Sequence, residues 1–302
     1  MKKFLIVLLA LVLALSFMAC DSGEDQDPVL STDRAGLEFE EVDSTDSIVS
    51  LAPATTEILV DMGYGDNLVA TDGPHSQGQE GVPQDIVFMD MMAPDIEQLI
   101  ALDPDLVFAS NITIAGGDDP LKPLKDQGIS VVYIPSSDSI EEIYNDILFV
   151  GQVLKDQEAG QEIVDDMKAQ IEEIKGRNSD KESLRVFFEI AAAPEIYSFG
   201  SGVFLNEMLE ILGFENILAD NEGWMGVSEE IILDENPQVI FTNITYIENP
   251  VEEILSRNGW DTIEAVENQD VYHIDNDSSS LPNHNIVKGL LEMEEAVRDN
   301  EN

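Results

Sequence analysis

The chain has 302 residues, 43% of them hydrophobic, and a formal net charge of −48 at pH 7. This length suits one large or two medium domains. The strongly negative charge excludes nucleic acid and anionic lipid surfaces as partners. The 62 acidic residues are scattered along the chain, which favours a generally acidic, salt-tolerant surface over a dedicated cation-binding function.

Residues 1–20 have the features of a bacterial lipoprotein signal. Lys2 and Lys3 precede the apolar run FLIVLLALVLAL, and Ala19 precedes Cys20, the only cysteine of the chain. Cys20 is therefore predicted to carry a lipid, which would hold the protein to the extracytoplasmic side of the cell membrane without spanning it. Removal of the two lysines takes the net charge from −48 to about −50. No second cysteine remains for an intrachain disulfide.

After the signal, residues 21–45 begin with an acidic segment, DSGEDQDPVLSTD, whose composition is typical of a flexible tether. Short apolar runs then alternate with helical stretches. This alternation predicts parallel sheets covered by helices on both faces. The predicted strands are 48–52, 68–72, 106–110, 131–135, 185–190, 239–243 and 271–275.

A long helical stretch interrupts the alternation in the middle of the chain. Apolar residues recur there on one helix face, namely at Ile163, Val164, Met167, Ile171 and Ile174. We predict a linking helix over 151–178 between an amino-terminal lobe, 46–150, and a carboxy-terminal lobe, 183–302. Because twenty helical residues span about 30 Å, this connector would join the lobes stiffly.

The two predicted lobes repeat one pattern. TEILVDMGYGDNLVATD recurs as NEMLEILGFENILAD, and in each lobe a later glutamate, Glu97 or Glu230, stands seven residues before a proline. Each proline precedes a β-rich run that ends in Asn-Ile-Thr, at Asn111 and Asn243. The sequence therefore predicts an α/β fold with two similar Rossmann-like lobes, mainly parallel sheets and one long joining helix. Ligands of such sheets bind at the carboxyl ends of strands, so both Asn-Ile-Thr segments are expected to line one cleft.

Three segments carry a family resemblance: IVSLAPATTEILVDMGYGDNLVATD, PDIEQLIALDPDLVFAS and PNHNIVKGLLEMEEAV. They resemble the substrate-binding proteins of ABC importers for cobalamin and iron complexes, in which a long helix joins two lobes. The likeness covers residues 32–297 and includes TDRAGLEFEE, which resembles the family's amino-terminal hairpin.

The resemblance implies a monomeric protein that performs no catalysis, needs no cofactor and contacts the membrane only through its lipid. It would deliver a corrinoid or a ferric-siderophore-type chelate to a permease homodimer with its ATPase subunits. In the family, one exposed glutamate on each lobe docks onto arginines of the two identical permease subunits. Glu97 and Glu230 match those positions, and charged pairs of this kind mainly set orientation and association rate.

Candidate ligand contacts follow the predicted strand ends. Trp224 and Asp277 resemble cleft positions of cobalamin binders, although Leu281 stands where an arginine follows in that pattern. For the methionines before Glu97, the alternative to ligand contact is packing in the hydrophobic core. The predicted ligand-binding residues are Trp224, Met91, Met92, His75, Phe199, Asn111, Asn243 and Asp277.

Charge narrows the class of ligand, although several alternatives stay open. None of the five arginines lies at a predicted cleft loop, and an anionic chelate would be buried without a charge partner. A neutral or cationic ligand, such as a corrinoid or a hydroxamate complex, is therefore favoured. Three histidines without a common spacing give weak support for a free-metal site. Two further alternatives stay open: haem binding through His75 or Tyr197, and a role as a surface sensor or adhesin. The sequence contains no hydrolase, P-loop or dinucleotide-binding motif.

Overall fold

The computed structural model describes residues 32–114 and 117–298, which all belong to one compact unit. The predicted lipidation site Cys20 and most of the predicted tether lie outside the described residues. Within those two ranges, no helix has both the length and the apolar character needed to cross a membrane.

The strands are β1 Ile48–Leu51, β2 Leu68–Asp72, β3 Val87–Met89, β4 Leu106–Ser110, β5 Ser130–Ile134, β6 Arg185–Glu189, β7 Tyr197–Phe199, β8 Glu215–Asn216, β9 Trp224–Gly226, β10 Val239–Thr242 and β11 Val271–His273. The α-helices are α1 Pro53–Asp61, α2 Gly73–Ser76, α3 Ile96–Leu102, α4 Lys122–Lys125, α5 Ile140–Val153, α6 Gln157–Asn178, α7 Phe204–Ile211, α8 Glu229–Glu235, α9 Pro250–Leu255, α10 Glu264–Asn268, α11 Asn276–Ser280 and α12 Ile286–Arg298. Short 3-10 turns occupy Gly65–Asn67 and Trp260–Thr262.

The amino-terminal lobe is built on a parallel sheet in the order β3-β2-β1-β4-β5. Its central strand β1 is buried at every position, as expected for a parallel sheet that is covered on both faces. Val49 pairs with Ala70 on one side and with Val107 on the other. Helix α4 covers part of this sheet through Leu124, which is fully buried in the same apolar cluster.

The carboxy-terminal lobe has a parallel sheet in the order β11-β10-β6-β8 and a separate antiparallel ribbon of β7 and β9. In the reverse direction this order corresponds to β2-β1-β4-β5 of the first lobe, so the repeat in sequence is also a repeat in strand order. The predicted fold class is confirmed. All seven predicted strands are present; the bounds of β2 and β4 match the prediction, and those of the other five differ by one or two residues.

The helix that connects the lobes begins later than the sequence predicts. It starts at Gln157 and not at residue 151, because Lys155 adopts a left-handed conformation, with φ of 58°, and the Asp156 side chain caps the new helix by accepting from Ala159 N. Residues 151–153 belong to α5, and 154–156 connect the two helices. The two helices approach closely at Gly151 and Gly160, where a Cβ on Gly151 would lie 2.9 Å from the Asp156 carbonyl oxygen. The connecting helix α6 has 22 residues and thus spans about 33 Å.

Candidate functional site

A cavity of about 160 Å³ lies between the two lobes. Its first wall is formed by residues at or just after the carboxyl ends of strands in the amino-terminal lobe, where ligands of α/β sheets bind. Its second wall is the segment Ser280–Pro282 of the other lobe. The lining residues that follow strands are Ala52, His75, Met91, Ser110, Ile112 and Pro135.

Two predicted ligand residues from different lobes meet beside this cavity. His75 Nδ1 lies 3.6 Å from Asp277 Oδ1, and both side chains are partly exposed. The contact with Asp277 raises the pKa of His75 above its ordinary value. This pair therefore bridges the two lobes at the edge of the cavity.

Asp72, which the sequence interpretation missed, orients this region. Its buried side chain accepts from the backbone N–H groups of His75 and Met91, each at 3.3 Å, and burial raises the pKa of the Asp72 carboxyl. The signal was available in the sequence, because an aspartate before Gly-Pro is a typical N-cap. Asp72 thus fixes two predicted cleft residues through their backbones.

The amino-terminal lobe presents an apolar lip at its strand ends. Met92 is 70% exposed, and Ile112 of the Asn-Ile-Thr segment is 44% exposed. Met91 beside them is half-buried and lines the cavity. Asn111 is exposed, and its Oδ1 accepts from Ser136 N at 3.2 Å. The predicted residue Asn111 thus lies in the same loop as Ile112, an exposed apolar residue that the sequence interpretation did not name.

The carboxy-terminal lobe exposes aromatic residues. Trp224 on β9 is 41% exposed, and Tyr246, just after the second Asn-Ile-Thr segment, is 68% exposed. The Trp224 ring packs edge-on against Phe199 at 5.8 Å and Phe204 at 6.5 Å between ring centroids. The Tyr246 hydroxyl accepts from Ala192 N at 2.8 Å. Two aromatic rings are thus held in place with part of their surface open to solvent.

Phe199 and Asn243, both predicted as ligand contacts, are instead buried. Phe199 pairs with Trp224 across the β7–β9 ribbon, and its buried ring lies 5.6 Å from the Phe188 ring, between centroids, in a tilted arrangement. Asn243 Nδ2 donates to the hydroxyls of Ser279 and Ser280, each at 3.0 Å. Phe199 therefore packs against Trp224, Asn243 links the end of β10 to helix α11, and neither residue lines the interlobe cavity.

Four of the five arginines of the chain are engaged with carboxylates. Arg34 Nε lies 2.5 Å from Asp146 Oδ1, and Arg177 pairs with Glu294 at 2.6 Å. Arg185 pairs with Glu235, and Arg257 pairs with Glu189. Among the residues that line the cavity, none is an arginine or a lysine. The cleft therefore offers no free cation to an anionic ligand at this point.

A second, acidic cavity of about 450 Å³ adjoins the lobe junction. Its lining includes one lysine, Lys288, and five carboxylates, which are Glu57, Asp61, Glu80, Asp275 and Asp277. Across 32–114 and 117–298, no group of three or more His, Cys, Asp or Glu side chains is placed to hold a metal ion.

The two predicted docking glutamates occupy equivalent, exposed positions. Glu97 lies in the first turn of α3 and Glu230 in the first turn of α8. Both helices are capped by a side chain at the start, and both end on a left-handed residue, Asp103 with φ of 50° and Asn236 with φ of 46°. Each lobe thus presents one carboxylate from the same kind of short helix.

Comparison with known proteins places these features in a family. Residues 48–278 match the family model described as periplasmic binding protein. The chain is 30% identical to an uncharacterized ABC transporter substrate-binding lipoprotein, YvrC of Bacillus subtilis, over 98% of both chains. It is 27% identical to the vitamin B12-binding protein of Vibrio cholerae, over 78% of this chain and 83% of that one.

A solved structure supports the same assignment. A possible iron-binding, periplasmic solute-binding protein from Staphylococcus epidermidis superposes with a TM-score of 0.74 and 31% identity, covering 83% of this chain and 98% of that one. The two lobes, the long connecting helix and the cleft at the strand ends define a bilobed solute-binding protein. The chain belongs to the periplasmic binding protein family.

Proposed function

We propose that this chain is the solute-binding component of an ABC importer and that it captures a neutral or cationic, partly apolar metal chelate between its lobes. A corrinoid is the first candidate and a ferric hydroxamate complex the second. One observation carries this proposal: each lobe exposes large apolar side chains, namely Met92 and Ile112 shortly after strands of the first lobe and Trp224 and Tyr246 in the second. A curated relative named as a vitamin B12-binding protein gives further support.

Size favours a ligand that rests on this exposed lip. The interlobe cavity of about 160 Å³ is smaller than the roughly 300–1,000 Å³ typical of small-molecule pockets, so it can enclose only part of a macrocycle. The remainder would lie against the lips of the two lobes. A flat, partly apolar ring suits methionine and tryptophan surfaces, because both provide polarizable contact area.

Charge separates this ligand class from anionic chelates. The cavity is lined by neither arginine nor lysine, and the chain carries a net charge of −48. A ferric catecholate or citrate complex would enter a negative environment without a counter-charge, which costs free energy. A neutral corrinoid or a hydroxamate complex avoids that cost.

Delivery would use the paired glutamates and the lipid. A permease homodimer presents two identical subunits, and Glu97 and Glu230 offer one exposed carboxylate from each lobe. Lipidation of Cys20 would keep the protein at the extracytoplasmic membrane surface, where it meets the permease. No catalytic step is proposed.

The first test uses the two tryptophans of the chain. Trp224 is 41% exposed and Trp260 is fully buried, so a chromophoric ligand in the cleft should quench mainly Trp224. The purified protein is titrated with cyanocobalamin, a ferric hydroxamate, haem and a ferric catecholate. We expect saturable quenching by cyanocobalamin or the hydroxamate, and its loss in Trp224→Phe, where Trp260 serves as the internal reference.

Other outcomes of this titration reassign the function. Saturation by haem alone would assign a haem carrier, and saturation by the catecholate alone would contradict the charge argument. If none of the four compounds binds, a sensor or adhesin that uses the same fold becomes the better description.

The second test addresses docking. Glu97→Lys combined with Glu230→Lys should reduce uptake of the ligand by cells on the order of tenfold or more, because attraction to the permease is replaced by repulsion. Ligand affinity of the purified protein should not change. The control is Glu162→Lys with Glu172→Lys, an equal charge change at exposed positions of α6. Unchanged uptake in the docking variant, or equal loss in the control, would contradict the docking role.

A further inference from the structure

The repeat contains a second pair of glutamates, Glu57 and Glu207, that the docking proposal does not use. Glu57 lies in α1 and Glu207 in α7, at the same position of the repeated segments TEILVDMG and NEMLEILG. Glu57 is 8% exposed and Glu207 is half-buried. A carboxylate in such an environment requires hydrogen-bond partners, and for both residues the partner belongs to the opposite lobe.

The Glu57 side chain, in the amino-terminal lobe, forms hydrogen bonds to the carboxy-terminal lobe. Its Oε2 accepts from Asn283 Nδ2 and from Asn285 Nδ2, both at 2.6 Å. Asn283 is fully buried, and its Oδ1 also accepts from Asn285 N at 2.7 Å. These asparagines lie in the turn directly before α12. Charge-assisted hydrogen bonds of this length are roughly twice as strong as neutral ones.

The Glu207 side chain, in the carboxy-terminal lobe, forms a hydrogen bond to the amino-terminal lobe. Its Oε2 accepts from the backbone N–H of Ile140 at 2.8 Å, and Ile140 is the first residue of α5 in the amino-terminal lobe. The adjacent N-cap, Ser139, accepts from Glu142 N. Glu207 therefore binds a backbone donor that the helix itself leaves without an intrahelical partner.

The two contacts are equivalent under the repeat. Helix α5 follows β5 and α12 is the long helix after β11, and these strands occupy the same edge position of their sheets. Each lobe thus uses the glutamate of its repeated helix to hold the start of the corresponding helix of the other lobe. A glutamate that only stabilised its own lobe would not need a partner across the junction.

We propose that Glu57 and Glu207 are positioning residues that form a reciprocal clasp between the lobes and set the width of the ligand cleft. Within the described residues the chain passes from one lobe to the other once, through α6, so the angle between the lobes also depends on contacts elsewhere along the junction. Glu57 and Glu207 supply two such contacts. Ligand retention would depend on the clasp, and this last step rests on the proposed function.

The test measures the distance between the lobes directly. Spin labels are attached at cysteines that replace exposed Gln127 in the amino-terminal lobe and exposed Asn268 in the carboxy-terminal lobe, in the full chain as processed and purified in detergent. A chain without the two new cysteines controls for labelling at Cys20. Glu57→Leu combined with Glu207→Leu should broaden the distance distribution and shift it from that of the parent, and each single change should have a smaller effect.

Matched variants separate positioning from a general structural role. Glu57→Gln and Glu207→Gln retain an acceptor oxygen and should restore a narrow distribution. Glu210→Leu is the control, because Glu210 is an exposed residue of the same helix as Glu207 and accepts from Asn206 within that helix. If Glu57→Leu does not fold, Asn285→Ala removes one bond from the other side of the clasp and decides the question. An unchanged distribution in a folded double variant or in Asn285→Ala would overturn the proposal.

A second readout separates the clasp from the proposed ligand. The double leucine variant should release cyanocobalamin about fivefold faster or more, as expected for coupling between two sites, with the Gln variants close to the parent. If the parent does not bind cyanocobalamin, the proposed ligand fails while the distance measurement still decides the clasp. If cyanocobalamin binds and its release is unchanged although the distances broaden, the link between clasp and retention is overturned.

Discussion

The two lobes share their strand order but differ at one buried strand end. Leu51 ends β1 and pairs in register with Ala109, while Glu189 ends β6 and pairs with Thr242. Both side chains are fully buried. The apolar version needs only packing, whereas the charged version requires Arg257, which lies 2.5 Å and 2.9 Å from the two Glu189 oxygens. The common frame is therefore set by strand pairing, and the same position tolerates opposite chemistry.

The exposed apolar residues of the two lobes also differ. The amino-terminal lobe exposes Met92 and Ile112, and the carboxy-terminal lobe exposes Trp224 and Tyr246. The contrast indicates that the two copies kept their frame and diverged in the apolar residues that they expose.

The largest expected effect comes from changing the buried charge pair at the end of β6, where the two lobes differ. Arg257→Met should lower the free energy of unfolding by about 3–5 kcal/mol, because it leaves Glu189 buried without its counter-charge. Glu189→Leu combined with Arg257→Met makes β6 resemble β1 and should recover most of that loss, since apolar replacement of a buried pair is often neutral or stabilising. Urea unfolding of the three chains checks both statements. A double variant as unstable as Arg257→Met would show that the charge itself is not the cause.

The second prediction compares an exposed apolar residue of each lobe, Trp224 and Met92. Trp224→Ala should weaken corrinoid binding by about 30-fold or more, the range of a buried aromatic anchor. Met92→Ala should weaken it only a few-fold, since a flexible thioether at the rim contributes less. Titration of both variants under the same conditions provides the measurement. A larger loss for Met92→Ala than for Trp224→Ala would invert the comparison.

The third and smallest effect compares two histidines at the lobe junction. Contact with Asp277 raises the pKa of His75 above 6.5, so its contribution to stability is complete below that pH and is lost as the pH rises through the raised value. Burial lowers the pKa of His284 below 6.5, although Nε2 lies 2.7 Å from Asp61 Oδ2. His284 therefore favours unfolding progressively as the pH falls below 6.5.

Two variants measure these opposite signs. His75→Gln should lower the melting temperature relative to the parent more at pH 5.5 than at pH 8. For His284→Gln, the melting temperature relative to that of the parent should be higher at pH 5.5 than at pH 8, because the change removes the group whose protonation opposes folding. Differences of the same sign for both variants would contradict the assignment.

The frame of the fold was accessible from the sequence because it depends on local patterns. Each of the seven predicted strands is a run of apolar residues long enough to stand out between turn signals. Strands β7, β8 and β9 contain two or three residues each and form no such run. The break before α6 was missed because Lys155 and Asp156 interrupt the helix without glycine or proline. Its one local signal was the capping aspartate.

The candidate site was predictable in its loops but not in all of its side chains. Asn111 and Asn243 mark two strand ends correctly, yet the exposed apolar residues beside them are Ile112 and Tyr246. Which neighbour faces outward depends on strand pairing and on loop geometry. Glu57 could be assigned to a helix start, but its partner Asn283 lies 226 residues further along the chain, and no local pattern reports that contact.

The most direct measurement of the central claim is calorimetric titration of the purified protein with cyanocobalamin at low and at high salt. The account predicts saturation at one ligand per chain, a negative heat-capacity change from burial of apolar surface, and an affinity that changes little with salt because no charge pair holds the ligand. A ferric catecholate should give no saturable heat. Saturable binding of the catecholate, with none for cyanocobalamin or a ferric hydroxamate, would contradict the account.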